Sequence, residues 1–107
     1  MSSGIITGNL QSMGVVAVTL SPAEVAANTS AEQTFTLPGL KSGDVIVGVS
    51  KPTTQAGLGI VGWRVSAANT VAITFMNATG SPITPTASQT YLITWARRDA
   101  VQSGIAP

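Results

Sequence analysis

The chain has 107 residues, 44% of them apolar and only 8% charged, with five Lys or Arg against four Asp or Glu. This is the length of one domain, and its charged content is far below the ~25% of an ordinary soluble protein. The absence of Cys and His removes disulfides, thiolate nucleophiles, Cys-ligated zinc and the commonest general base. A net charge of +1 leaves no electrostatic footprint for nucleic acid or an anionic membrane.

The first residues, Met1-Ser2-Ser3-Gly4-Ile5-Ile6-Thr7-Gly8, lack the basic start and apolar run of a signal peptide. The longest apolar stretch elsewhere, Val15 to Val18, is far short of the ~20 residues that span a bilayer. A soluble chain made in the cytoplasm is expected. Residues 1–14 carry Gly4, Gly8 and Gly14, no charge, and only Ile5, Ile6, Leu10 and Met13 as large apolar side chains. They read as an N-terminal arm that a neighbouring surface would order, since so few apolar groups cannot offset ~1–2 kcal/mol of backbone entropy per residue. A domain over 15–98 and a tail over 99–107 follow.

Within that domain the hydrophobic period is two. Val16, Val18 and Leu20, then Gln33, Phe35 and Leu37, then Val45, Val47 and Val49 each form one face of a run. Val71, Ile73 and Phe75, and Tyr91, Ile93 and Trp95, do the same. Side chains alternate across a strand, so each run offers one apolar face to a core. Strands are expected near 14–20, 32–37, 44–50, 63–67, 70–76 and 89–97, and no helix beyond one turn at Pro22 to Ala27. Pro38-Gly39, Ser42-Gly43-Asp44, Ala67-Ala68-Asn69-Thr70 and Gly80-Ser81-Pro82 punctuate the runs with turn chemistry. The fold class is all-β, an antiparallel β-sandwich or jelly roll. Ala26-Ala27-Asn28-Thr29 recurs as Ala67-Ala68-Asn69-Thr70, which reads as one turn type used twice.

Chemical motifs are scarce. Gly57-Leu58-Gly59-Ile60-Val61-Gly62 is a literal G-x-G-x-x-G, but loop text precedes it, strand text follows it, and no acid lies between Asp44 and Asp99. A dinucleotide site needs a strand before, a helix after and that acid, so the run reads as a glycine-bent strand or bulge. Serine has no histidine base, and Glu24, Glu32, Asp44 and Asp99 are scattered. No enzyme, cofactor, metal site or small-molecule substrate is expected. The sequons at Asn28 and Asn77 are read as chance triplets. Arg64 follows Trp63, and Arg97-Arg98 follow Trp95, yet the local charge excess is small. Arg64 and Arg97 therefore read as anchors of a protein interface or caps of a sheet edge rather than nucleic-acid contacts.

The charge distribution is the most informative feature. Met1 to Ala23 and Val65 to Ala96 contain no charged residue. A dispersed monomer carries roughly 25–35% charge on its surface, so the pattern points to a chain whose faces are covered by other copies or another protein. Ile5, Ile6, Leu10, Trp63, Arg64 and Arg97 are the candidate interface residues.

The stretch from Pro22 to Leu40 (PAEVAANTSAEQTFTLPGL) resembles small virion structural proteins of tailed phages, notably cyanophages and marine phages. So do Asp44 to Val49, Lys51-Pro52, Ala56 to Thr74 (AGLGIVGWRVSAANTVAIT), Phe75 to Thr79, Pro82 to Ala87 and Tyr91, together spanning about 22–97. The resemblance implies a capsid decoration (cement) protein on the outer capsid surface, bound to the major capsid protein, with no catalytic residues. A homotrimer would match the local three-fold axes of a head. Trp63 and Trp95 are larger than that family leads one to expect. The alternatives are a tail, baseplate or fibre module of the virion, and a host-surface adhesion module.

Overall fold

The computed structural model describes residues 10–98. They form six strands and no helix: β1 (Leu10–Leu20), β2 (Thr29–Thr36), β3 (Val45–Ser50), β4 (Leu58–Ala67), β5 (Thr70–Asn77) and β6 (Gln89–Arg98). Two antiparallel sheets of three, ordered β1-β6-β3 and β2-β5-β4, pack face to face as a small β-sandwich.

The core is built by the alternation of the central strands. Val71, Ile73 and Phe75 of β5 face Tyr91 and Ile93 of β6, and all five are fully buried. Leu20, Leu37, Leu40 and Ile46 close the ends, with Val16, Val18, Phe35 and Trp95 packed around them. Tyr91 is enclosed down to its hydroxyl, which has no hydrogen-bond partner, and burial raises its pKa above the ordinary phenol value.

The turns obey the local chemistry. Asn28 and Asn69 both take positive φ, 52° and 60°. In each case the next threonine folds its hydroxyl back to the carbonyl two residues earlier, Thr29 to Ala27 and Thr70 to Ala68. The repeated Ala-Ala-Asn-Thr text is one turn type used twice, left-handed backbone being tolerable for asparagine. The glycine run contains the expected irregularity: the β4–β5 register slips between Ile60 and Gly62, leaving Val61 as the extra residue of a bulge.

Two expectations need correction. First, β1 begins at Leu10, so residues 10–14 of the expected arm belong to the sheet, paired with the end of β6; Ile5 and Ile6 lie outside the described residues. Second, β3 presents Ile46, not Val45 and Val47, to the core; both valines are about half exposed. The β3–β6 register shifts between Ile46 and Gly48, and that extra residue resets the phase so that Val49 again packs inward. The expectation of no helix beyond one turn at Pro22 to Ala27 holds. Val25 bridges Ile83 through paired backbone bonds of 2.8 and 3.0 Å, and is fully buried.

Candidate assembly surface

The two sheets differ in what they show to the outside. On β2-β5-β4, Arg64 lies beside Ala72, and its guanidinium reaches across β5 to Glu32, with Nε and Nη2 donating to the two carboxylate oxygens at 2.8 and 2.9 Å. Ala72 beneath is fully buried. Hydrogen bonding to Arg64 lowers the Glu32 pKa. Ser30, Thr34, Thr70 and Thr74 share this outward parity with Met76, and Val61, the bulge residue of β4, is 62% exposed.

On β1-β6-β3 the outward residues are Met13, Val15 and Ala17 of β1, Leu92 of β6, and Val45 and Val47 of β3, with Thr90 and Thr94 between them. Val15 is 63% exposed, and Met13, Val45, Val47 and Leu92 lie between 47% and 52%. Ala96, flanked by Met13 and Val45 on the neighbouring strands, is covered by them. From Thr90 to Ala96 this face holds no charge; Arg98 stands at its end. Both faces of this sheet are therefore apolar, as in sheets that are covered on both sides. Covering each half-exposed side chain would gain on the order of 1 kcal/mol.

The rim of the same sheet is fixed by Arg97. Its Nε and Nη2 donate to Asp44 Oδ1 and Oδ2 at 2.9 and 2.8 Å, and Nη2 also donates to the Gly39 carbonyl at 3.0 Å. The Lys41 amide donates to Asp44 Oδ2 at 2.9 Å. The Asp44 side chain retains 2% of its exposure and that of Arg97 21%. The Arg97 guanidinium stacks on Trp95, 5.0 Å from the ring centroid, and Trp95 lies directly over Gly14 on β1. Only arginine can grip a carboxylate with two donors while stacking on an aromatic face. This column ties β1, β6 and the β2–β3 connection together, and it accounts for the size of Trp95.

The sequence-derived interface residues thus separate. Arg97 and Arg64 are paired with Asp44 and Glu32 within the chain, Arg97 at the rim of one sheet and Arg64 on an edge strand of the other. Arg64 and Trp63 lie on the other sheet from Arg97; Trp63, on the edge strand β4, is 39% exposed. Leu10 opens β1, and Ile5 and Ile6 are outside the described residues. The outward face of β1-β6-β3 is not among those residues, because alternation in β1 and β6 marks the inward side chains most strongly. The signal was present in the unbroken Val15 to Val18 run, which feeds both faces at once.

Hydrogen bonding to Arg97, aided by the Lys41 amide, holds the Asp44 carboxyl below the usual carboxylate range. Its stabilising contribution is therefore complete above the unfolded pKa, ~3.9, and is lost as pH falls through the lower folded value. Asp44→Asn should cost about 2–3 kcal/mol at pH 7, less than a fully buried pair because Arg97 keeps some water. Urea unfolding at pH 7 and at pH 2.5 checks this: the gap between variant and parent should narrow in acid, and a gap that does not change refutes the assignment.

Three cavities indent the described surface. One of about 330 Å³ is lined by Lys41, Asp44, Arg97 and Arg98, one of 190 Å³ by Lys51, Gln55 and Ile60, and one of 250 Å³ by Val16, Leu40 and Trp95. The buried sequon is also explained. Asn77 Nδ2 donates to the carbonyls of Val25 and Ser81 at 3.1 and 2.8 Å, so the nitrogen that would carry a glycan is committed to the fold. Comparison with protein-family models, curated proteins and solved structures gave no match.

Proposed function

We propose that this chain is a structural protein of a tailed-phage virion that decorates the head. In this reading it docks on the major capsid protein through the outward face of β1-β6-β3 and turns the face carrying Glu32 and Arg64 to solvent. The observation that carries the proposal is the contrast between these faces within one small domain: one has a cluster of half-exposed apolar side chains with no charge before Arg98, the other has the Glu32–Arg64 pair among serine and threonine, with Met76 as its outward apolar residue on β5. A protein coating a shell needs one adhesive side and one wetted side, and an uncharged contact loses little to salt. The resemblance over residues 22–97 is the reason for naming a phage head, and the difference between the faces is the reason for this orientation.

The test is binding to purified heads that lack the chain, followed by sedimentation. Many copies per head should bind, to saturation. Leu92→Lys and Val45→Lys, which place a charge on the apolar face at half-exposed positions, should weaken binding at least tenfold while the domain stays folded. Arg64→Gln on the opposite face should bind as the parent does. Few copies per particle, or co-purification with tails, would support the tail or baseplate reading instead. Lysine variants that bind normally would remove the proposed face.

A further inference from the structure

A three-stranded sheet has two edges, so this sandwich has four: β1 and β3 in one sheet, β2 and β4 in the other. Natural proteins blunt free edges with charge, proline, bulges, short strands or a covering segment, because an edge strand is a template for another chain. Three of these four are blunted. β3 has only six residues, bulges at Val47 and runs into Lys51-Pro52. β4 carries Arg64 and two register slips, after Ile60 and after Val65. β2 carries Glu32, and its Gln33 amide holds Ala23 by bonds of 2.7 Å from the Ala23 N–H and 2.9 Å to the Ala23 carbonyl, laying the β1–β2 connection beside it.

Over Ser12 to Leu20, β1 has none of these devices. It is the longest strand, eleven residues, without charge and without proline, and from Ser12 to Leu20 its pairing with β6 is unbroken. The single irregularity lies at its start, between Leu10 and Ser12. Its other side, facing away from β6, has no strand against it among the described residues.

We infer that the free edge of β1 is a self-association strand, pairing antiparallel with β1 of a second copy about a two-fold axis at Val15. The occupant is a second copy because an uncharged strand meets itself without like-charge repulsion, and because an isologous contact needs only one competent edge, the one β1 offers among the described residues. A three-fold ring through strand pairing would need β1 to meet a different edge, and each of those is blunted. Val15 is the midpoint of Leu10–Leu20 and the most exposed of the large apolar side chains. Pairing about it sets Met13 against Ala17 of the second copy and keeps outward residues opposite outward residues, as antiparallel parity requires. The product is a continuous six-stranded sheet, β3-β6-β1-β1-β6-β3, whose apolar outer face is twice as wide as that of one copy. The inference does not depend on capsid binding, since the partner is this chain and no other protein enters the test.

Two measurements on the full chain decide it. Light scattering at micromolar to near-millimolar concentration should give twice the 10.8 kDa chain mass, and Val15→Lys should return the single-chain mass with the fold retained. The chain has no cysteine, so Val15→Cys introduces a lone thiol. At the axis of an antiparallel pair the two Cα atoms are about 4.5–5.5 Å apart, within disulfide range, and mild oxidation should cross-link it. Thr19→Cys should not cross-link, its partner thiol lying about 27 Å away. A monomer or trimer mass for the parent overturns the inference. So does a dimer in which Val15→Cys stays reduced, because sheets stacked face to face stand ~10 Å apart.

Discussion

Asn77→Ala should be as damaging as truncating a core aromatic, lowering stability by about 3–5 kcal/mol. Asn77 is fully buried at the end of β5. Beyond its two donated bonds to Val25 and Ser81, its Oδ1 accepts from the Thr79 amide at 2.9 Å and the Thr79 hydroxyl at 2.8 Å. Four hydrogen bonds vanish at once, and groups left buried without partners cost ~1–3 kcal/mol each before relaxation or water entry. A domain of this size has a total stability of about 5–15 kcal/mol, so the melting temperature should fall by roughly 15–25 °C. Thermal unfolding followed by circular dichroism measures it. Asn77→Asp is the sharper companion, since it keeps the shape but aims an acceptor at two carbonyl groups. A drop of less than about 1 kcal/mol in both variants would show that Asn77 does not hold this end of the sandwich.

Gly57→Ala should cost about 2–5 kcal/mol, from two causes that can be separated. Gly57 sits at φ +80°, where a side chain is strained, and an added Cβ would meet Thr79 Cγ2 well inside contact distance. Thr79 is not free to yield: its hydroxyl and amide both donate to Asn77, and Ala78 donates to the Gly57 carbonyl at 2.9 Å. Thr79→Ser removes the obstructing methyl group and keeps the hydroxyl. In a double-mutant cycle it should recover the steric part of the Gly57→Ala loss and leave the backbone part, ~1–2 kcal/mol. Additive losses would mean that the methyl group is not the obstacle.

Where a property is set by near neighbours in sequence, the chain declared it. The inward faces of β5 and β6 followed from alternation at Val71, Ile73, Phe75, Tyr91 and Ile93, and the Asn28 and Asn69 turns followed from residue chemistry. The phase of β3 did not, because one extra residue at Val47 reverses a period-two argument and nothing in Val-Ile-Val-Gly-Val marks which residue is extra. The Asp44–Arg97 and Glu32–Arg64 pairs did not either. Their members are 53 and 32 residues apart, and only sheet topology brings them together. Both arginines looked unpartnered in the sequence and were assigned outward. The candidate surface was legible as a quantity, too little charge for the area, but not as a place. Its location needed the register that puts Met13, Ala96 and Val45 in one row.

The strand that centres the β1-β6-β3 sheet is the last of the six to be synthesised. On a ribosome, the β2-β5-β4 sheet can close as soon as β5 emerges, whereas β1 and β3 have been waiting, unpaired, for β6. Throughout that interval the growing chain shows one bare core face and two loose apolar strands, the species on which holding chaperones act. β6 arrives as a zip that pairs both strands and caps the core in one event, so native structure should appear abruptly and late in translation. A chain released before Gln89 would have half a sandwich and no means of finishing it.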